Sequence, residues 1–193
     1  MGAFASLLDE VRACTICAAY LPHDPRPVFQ IHPSAKILVA GQAPGRKVHE
    51  SGVPFNDVSG DRLRVWLGVT REEFYDRQLI ALLPMGFCFP GTGRSGDLPP
   101  RPECAATRRD RMLSTLHAVE LTVVLGQYAQ AYHFDEEASS VTERVKSWRT
   151  HWPGKIPLHH PSPRNVLWAK RNPWFESDLL PALRQRVAQL LGR

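Results

Sequence analysis

Four short apolar runs recur along the chain: KILVA at 36–40, LIALL at 79–83, LTVVL at 121–125 and KIPL at 155–158. Each is brief and has little polar alternation, the pattern of a strand buried on both faces. Between them, apolar residues fall at helical spacing. Phe4, Leu7, Leu8 and Val11 lie at i, i+3, i+4 and i+7; Leu63, Trp66 and Leu67 repeat the interval, and 108–118 and 127–134 continue it. A last helix is predicted from about Pro181, with Leu183, Val187, Leu190 and Leu191 on its apolar side and proline in the permissive first turn. This alternation predicts an α/β fold, a three-layer α/β/α sandwich around a four-stranded, mainly parallel sheet. FPGTGRSGDLPPRP (89–102) reads as a long loop within a single domain, 1–193, because strands of one sheet lie on both sides of it.

Composition adds limits. With 193 residues, 43% of them hydrophobic, the chain suits one core. It has no apolar window of roughly 18 residues and no charged-then-apolar N-terminal segment, so a cytoplasmic monomer without membrane span or signal peptide is expected. The formal net charge is +5 and arginine dominates it. That suits a phosphate-rich partner, although a solvated basic surface accounts for the same charge.

The segments after the strands carry the candidate chemistry. They are GQAPG (41–45), PMGFC (84–88), GQYAQ (126–130) and HHPSPRN (159–165), and in a parallel sheet they gather beyond the carboxyl ends of the strands. Four cysteines complete the picture. Cys14 and Cys17 form Cys-x-x-Cys, and Cys88 and Cys104 form a wider pair with fifteen residues between them. Four unrelated buried thiols are one reading; one four-thiolate metal site, holding zinc or a [4Fe–4S] cluster, is the favoured one.

Taken together, these segments resemble the uracil-DNA glycosylases. GQAPGRKVHESGVPFNDVSG (41–60) is similar to the first motif of the bacterial and archaeal iron–sulfur members, a Gly-x-x-Pro-Gly turn followed by Gly-x-Pro-Phe. The cysteine arrangement resembles theirs and implies [4Fe–4S] rather than zinc on Cys14, Cys17, Cys88 and Cys104. HPSPRN (160–165) is similar to the second motif of the superfamily, closest to the single-strand-selective monofunctional branch. Two features depart from the pattern. Pro84 stands where the iron–sulfur members carry an asparagine that reads the base edge, and Gln42 and Ala43 stand where related motifs carry a carboxylate.

The resemblance implies a monofunctional glycosylase that removes uracil from single- or double-stranded DNA to start base excision repair. His160 is then the donor to negative charge developing on uracil O2, with His159 its structural neighbour. Gln42 holds a water, and Gly41, Ala43 and Gly45 offer backbone to the base or a phosphate. Phe55 is the ring on which the base stacks. Ser162 and Asn165 are placed on the DNA backbone or bracing the loop, and Arg164 enters the duplex as a wedge or contacts a phosphate. His49 and Glu50 are expected to be solvent-exposed in a polar loop, Asp57 is a weaker proton acceptor, and Trp168 and Trp174 are expected to pack. Lys170 and Arg171 extend the basic surface. Two alternatives stand beside this reading: excision of another deaminated base such as hypoxanthine or xanthine, and a non-catalytic protein that binds uracil-containing DNA.

Overall fold

The computed structural model describes residues 2–94, 96–135 and 140–193. Its strands are β1 (Ile37–Ala40), β2 (Ile80–Leu82), the two-residue β3 (Thr92–Gly93) and β4 (Gly96–Asp97), β5 (Leu121–Leu125) and β6 (Lys155–Leu158). The four predicted runs form one sheet in the order β2-β1-β5-β6, with every pairing between these strands parallel. One isolated antiparallel bridge, Gln30 to Leu82, lies at its margin. Ile37 pairs with Ile80 on one side and Leu121 on the other, which makes β1 and β5 the central strands. The connections leave these two in opposite directions, and an open sheet places its crevice at such a switch.

Helices cover both faces. In chain order they are α1 (Ala3–Arg12), α2 (Arg46–Ser51), α3 (Val58–Leu67), α4 (Arg71–Tyr75) and α5 (Pro102–Cys104). They continue with α6 (Asp110–Leu113), α7 (Gly126–His133), α8 (Val141–Lys146), α9 (Val166–Arg171) and α10 (Leu180–Leu190). Successive residues of a strand point to opposite faces, and β1 uses both. Ile37 and Val39 pack with Leu63, Trp66 and Leu67 of α3 and Leu183, Val187 and Leu190 of α10. Leu38 packs with Leu7, Leu8 and Val11 of α1 and Met112 of α6, while Ala40 joins Ala129 of α7. The three-layer α/β/α sandwich follows from that division. Among the described residues, no helix is long and apolar enough to cross a membrane.

Several local expectations need correction. The helix predicted over 108–118 begins at Pro102, passes through a π-helical turn at Ala105–Arg109 and ends at Leu113. Beyond it, the Ser114 and Thr115 hydroxyls bond back to the carbonyls of Arg111 and Met112, competing with helical continuation as the chain turns toward β5. The loop at 89–102, apart from Ser95, which lies outside the described residues, contains the β3–β4 hairpin. The polar loop holding His49 and Glu50 is helix α2. Glu50 is exposed as expected, but His49 is half-buried and stacks on His23 with ring centroids 5.2 Å apart.

Candidate functional site

Beyond the carboxyl ends of the strands lies a cavity of about 390 Å³, within the range of small-ligand sites. Gly41, Gln42, Ala43, Gly45, Phe55, His160, Ser162 and Arg164 line it, so most residues singled out in the sequence converge on one space. Backbone bonds join the walls: Met85 N–H donates to Gly41 O and Gly86 N–H to Gln42 O, both at 2.9 Å. Those two bonds hold the turn after β1 against the segment after β2.

The loop after β6 presents His160. Ser162 N–H donates to its Nδ1 at 3.2 Å, so a neutral ring carries its proton on Nε2. Burial lowers the His160 pKa, which favours that neutral form, while the Asp57 charge opposes the shift and His159 adds to it. Asn165 does not line the pocket; its Nδ2 donates to His160 O at 2.8 Å and braces the loop. The Ser162 hydroxyl accepts the Arg164 N–H at 3.3 Å, capping the short turn that Pro163 opens. His159 stacks on Trp168, whose indole donates to Thr142, so both act as supporting structure.

Phe55 enters from the segment between α2 and α3 with φ of 53°, the left-handed region. Such a backbone is strained for a bulky residue by about 1–2 kcal/mol and persists only where its surroundings impose it. Here Tyr75 OH donates to Pro54 O at 2.9 Å, and Asp57 caps α3 by accepting Gly60 N–H at 2.9 Å. At Gly41 a β-carbon would lie 3.2 Å from the Phe55 ring, so glycine keeps the ring's approach open.

Two carboxylates line the pocket: Asp57, expected as a weaker proton acceptor, and Asp97 of β4, which the sequence did not mark. Asp97 lies in a stretch without apolar alternation, so nothing in the pattern marked it. Arg109, a fully buried arginine in the π turn, was not marked either. Arg109 Nε donates to Pro84 O at 3.2 Å, and its terminal nitrogen reaches Leu83 O at 3.4 Å and His133 Nε2 at 2.8 Å. Burial beside Arg109 holds the His133 pKa at about 3, leaving a neutral acceptor.

Arg164 in the pocket lining and Arg46 of α2, which acts on Asp97, are exposed cations, as are Lys47 of α2 and Arg94 of the hairpin. Arg164 does not project freely: a β-carbon at Gly96 would fall 2.2 Å from its guanidinium, so the side chain lies across the mouth on the hairpin.

Cys14, Cys17, Cys88 and Cys104 line a second, smaller cavity of about 20 Å³ together with Leu21, Pro25, Pro27, Phe87 and Arg101. Burial pushes the Cys88 thiol up to about 12 and the Cys104 thiol up to about 11. Backbone groups of Arg26 and Phe87 hydrogen-bond these two sulfurs and oppose the shifts. Among the described residues, no three His, Cys, Asp or Glu are grouped to hold a single metal ion.

A family profile described as the "Uracil DNA glycosylase superfamily" matches residues 28–184, which include every residue lining the larger cavity. The chain is also similar to a Thermotoga maritima protein named "Type-4 uracil-DNA glycosylase". The two are 26% identical over 162 residues, covering 80% of this chain and 79% of the relative.

Proposed function

The chain belongs to the uracil DNA glycosylase superfamily, and from that premise we propose that it is a monofunctional glycosylase hydrolysing the N-glycosidic bond of uracil in DNA. The observation that carries this reading is the meeting of the Phe55 ring and the His160 imidazole in one cavity of about 390 Å³. A base flipped from the stack exchanges its neighbours for the face of Phe55. As the glycosidic bond lengthens, negative charge gathers on the base, and His160 Nε2–H donates to O2, a preorganised donor in a water-poor site. The Ser162 bond to Nδ1 keeps that proton on Nε2. No lysine lines the cavity among the described residues, which supports release of base without a Schiff base to the sugar.

Arg164 in the pocket lining and Arg46 beside Asp97 supply positive charge for the phosphate backbone of single or double strands, and the exposed Lys47 and Arg94 add to the basic surface. Ser162 and Arg164 contact that backbone, and Asn165 holds their loop. Cys14, Cys17, Cys88 and Cys104 would hold a [4Fe–4S] cluster; their gathering around one cavity, as a Cys-x-x-Cys pair and a wider pair, supports this reading. When bound, the cluster ties the N-terminal segment to the chain on either side of the hairpin, a structural function.

Single-turnover incubation with labelled uracil-containing DNA, then alkali and a denaturing gel, tests the reading. Alkali-dependent cleavage that disappears with His160→Ala is expected; an intact strand with the wild-type protein overturns it. Pro84 in the pocket wall favours a second reading, excision of another deaminated base. Cleavage of hypoxanthine- or xanthine-containing strands in place of uracil would identify it.

A further inference from the structure

Hydrolysis needs a group to take a proton from the attacking water, and Gln42 has no basic site for it. Among the described residues lining the pocket, Asp57 and Asp97 carry the carboxylates. Asp57 is engaged as the cap of α3, accepting Gly60 N–H, and its charge acts on His160. Asp97 is placed differently. Its Oδ2 lies 3.3 Å from where a β-carbon on Gly45 would sit, against the turn that follows β1. It lines the pocket and is exposed as a residue, so water reaches it.

The position of Asp97 is built. Asp97 pairs with Thr92 across the hairpin, and Leu98 N–H closes onto Gly91 O at 2.8 Å. Gln42 Nε2 reaches Leu98 O at 3.4 Å, so the amide of the first motif steadies the chain beside the carboxylate. The hairpin itself springs from between Cys88 and Cys104.

We propose that Asp97 is a catalytic residue, the proton acceptor for the water that attacks the sugar. This rests on the glycosylase reading above. In the step, the C1′–N1 bond breaks with its electron pair leaving on the base. The water oxygen forms the new bond to C1′, and the proton it sheds passes to the Asp97 carboxylate. The base departs as an anion held by His160 and later takes a proton from solvent. The groups facing Asp97 are Arg164 from the loop after β6, Arg46 from α2, Asp57 at the start of α3 and Thr92 from β3. The partial desolvation of its carboxyl raises the Asp97 pKa, Asp57 adds to it, and the two arginines oppose it. A carboxylate poised in this direction is a better proton acceptor than an ordinary one.

The test compares wild type, Asp97→Asn, Asp97→Glu and Asp97→Gln in single-turnover excision from uracil-containing DNA across pH. All variants are first checked for an unchanged melting temperature. Wild-type excision is expected to rise along an acidic limb as Asp97 ionises. Asp97→Asn is expected to slow it by about 100-fold or more at neutral pH and to abolish that limb. Glu is expected to recover much of the rate and Gln, of the same length, none. If Asn stays within about tenfold of wild type with the limb intact, or if Glu and Gln are equally slow, Asp97 is not the acceptor while the glycosylase reading stands. Should Asn unfold the hairpin, the Glu and Gln pair still decides, because it differs in charge at constant length. A wild-type protein that releases no uracil removes the reading itself and the proposal with it.

Discussion

Gly60 lies directly against Phe55: a β-carbon on Gly60 would sit 1.7 Å from the Phe55 carbonyl oxygen and 2.9 Å from its Cβ. The first turn of α3 therefore serves as the seat of the strained aromatic residue. Gly60→Ala has to push backbone against backbone, and a loss of at least about 3 kcal/mol in stability is expected. Urea unfolding measures it. Any folded fraction should excise about 100-fold more slowly, since a misplacement of about 1 Å is enough for that.

Phe55 offers a face as well as bulk. Removing base stacking forfeits about 1–3 kcal/mol, so Phe55→Ala and Phe55→Leu are both expected to slow single-turnover excision by roughly 5- to 150-fold. Phe55→Tyr, which keeps the ring, should stay near wild type. A leucine variant at full rate would return Phe55 to a packing role.

Gln42 is expected to matter little by itself. Its amide makes a single long bond at 3.4 Å, so Gln42→Ala should cost less than about tenfold in rate, or about 1.4 kcal/mol. A larger loss measured under single turnover would show that Gln42 holds the water more firmly than this geometry implies.

Acid should destabilise the fold through its half-buried histidines. His133 titrates near 3 when folded, whereas an unfolded histidine titrates at about 6.5. Between those values the unfolded chain binds the extra proton, so stability is full above the upper value and falls as pH drops below it. One such group contributes about 1.4 kcal/mol per pH unit within the window. His159, His160 and His49, all lowered mainly by burial, act in the same direction. Urea unfolding at pH 7 and pH 5 should show the loss, and His133→Gln, which keeps an acceptor for Arg109, should reduce the slope.

The four-cysteine site predicts a brown protein after anaerobic purification, with iron and sulfide in near-equal amounts. Cys88→Ser and Cys104→Ser should bleach it, lower the melting temperature and expose the hairpin to protease. A colourless protein carrying one zinc would reject the cluster.

Much of the frame was legible because the runs that became β1, β2, β5 and β6 are buried on both faces and leave no alternative pattern. The helix α2 was not, since RKVHES is short, polar and anchored by Gly45 and a left-handed Gly52 rather than by an apolar stripe. His160, Phe55 and Gln42 were legible through their motifs. Asp97 was invisible for a physical reason: it lies far along the chain from both motifs and reaches the pocket through a hairpin of two-residue strands. Nothing in the pattern marked Arg109, because arginine is mostly a surface residue, yet it is fully buried and satisfies the carbonyls at the end of β2.

That last arrangement decides what the Pro84 side of the pocket can ask of a base. Proline has no N–H to offer, and its carbonyl accepts from the buried Arg109 at 3.2 Å. A base laid against this side meets ring carbons rather than a donor and acceptor set to match its edge. On the glycosylase reading proposed above, discrimination there is expected to rest on bulk and outline, with any demand for a particular pattern of oxygens and nitrogens made by the other walls.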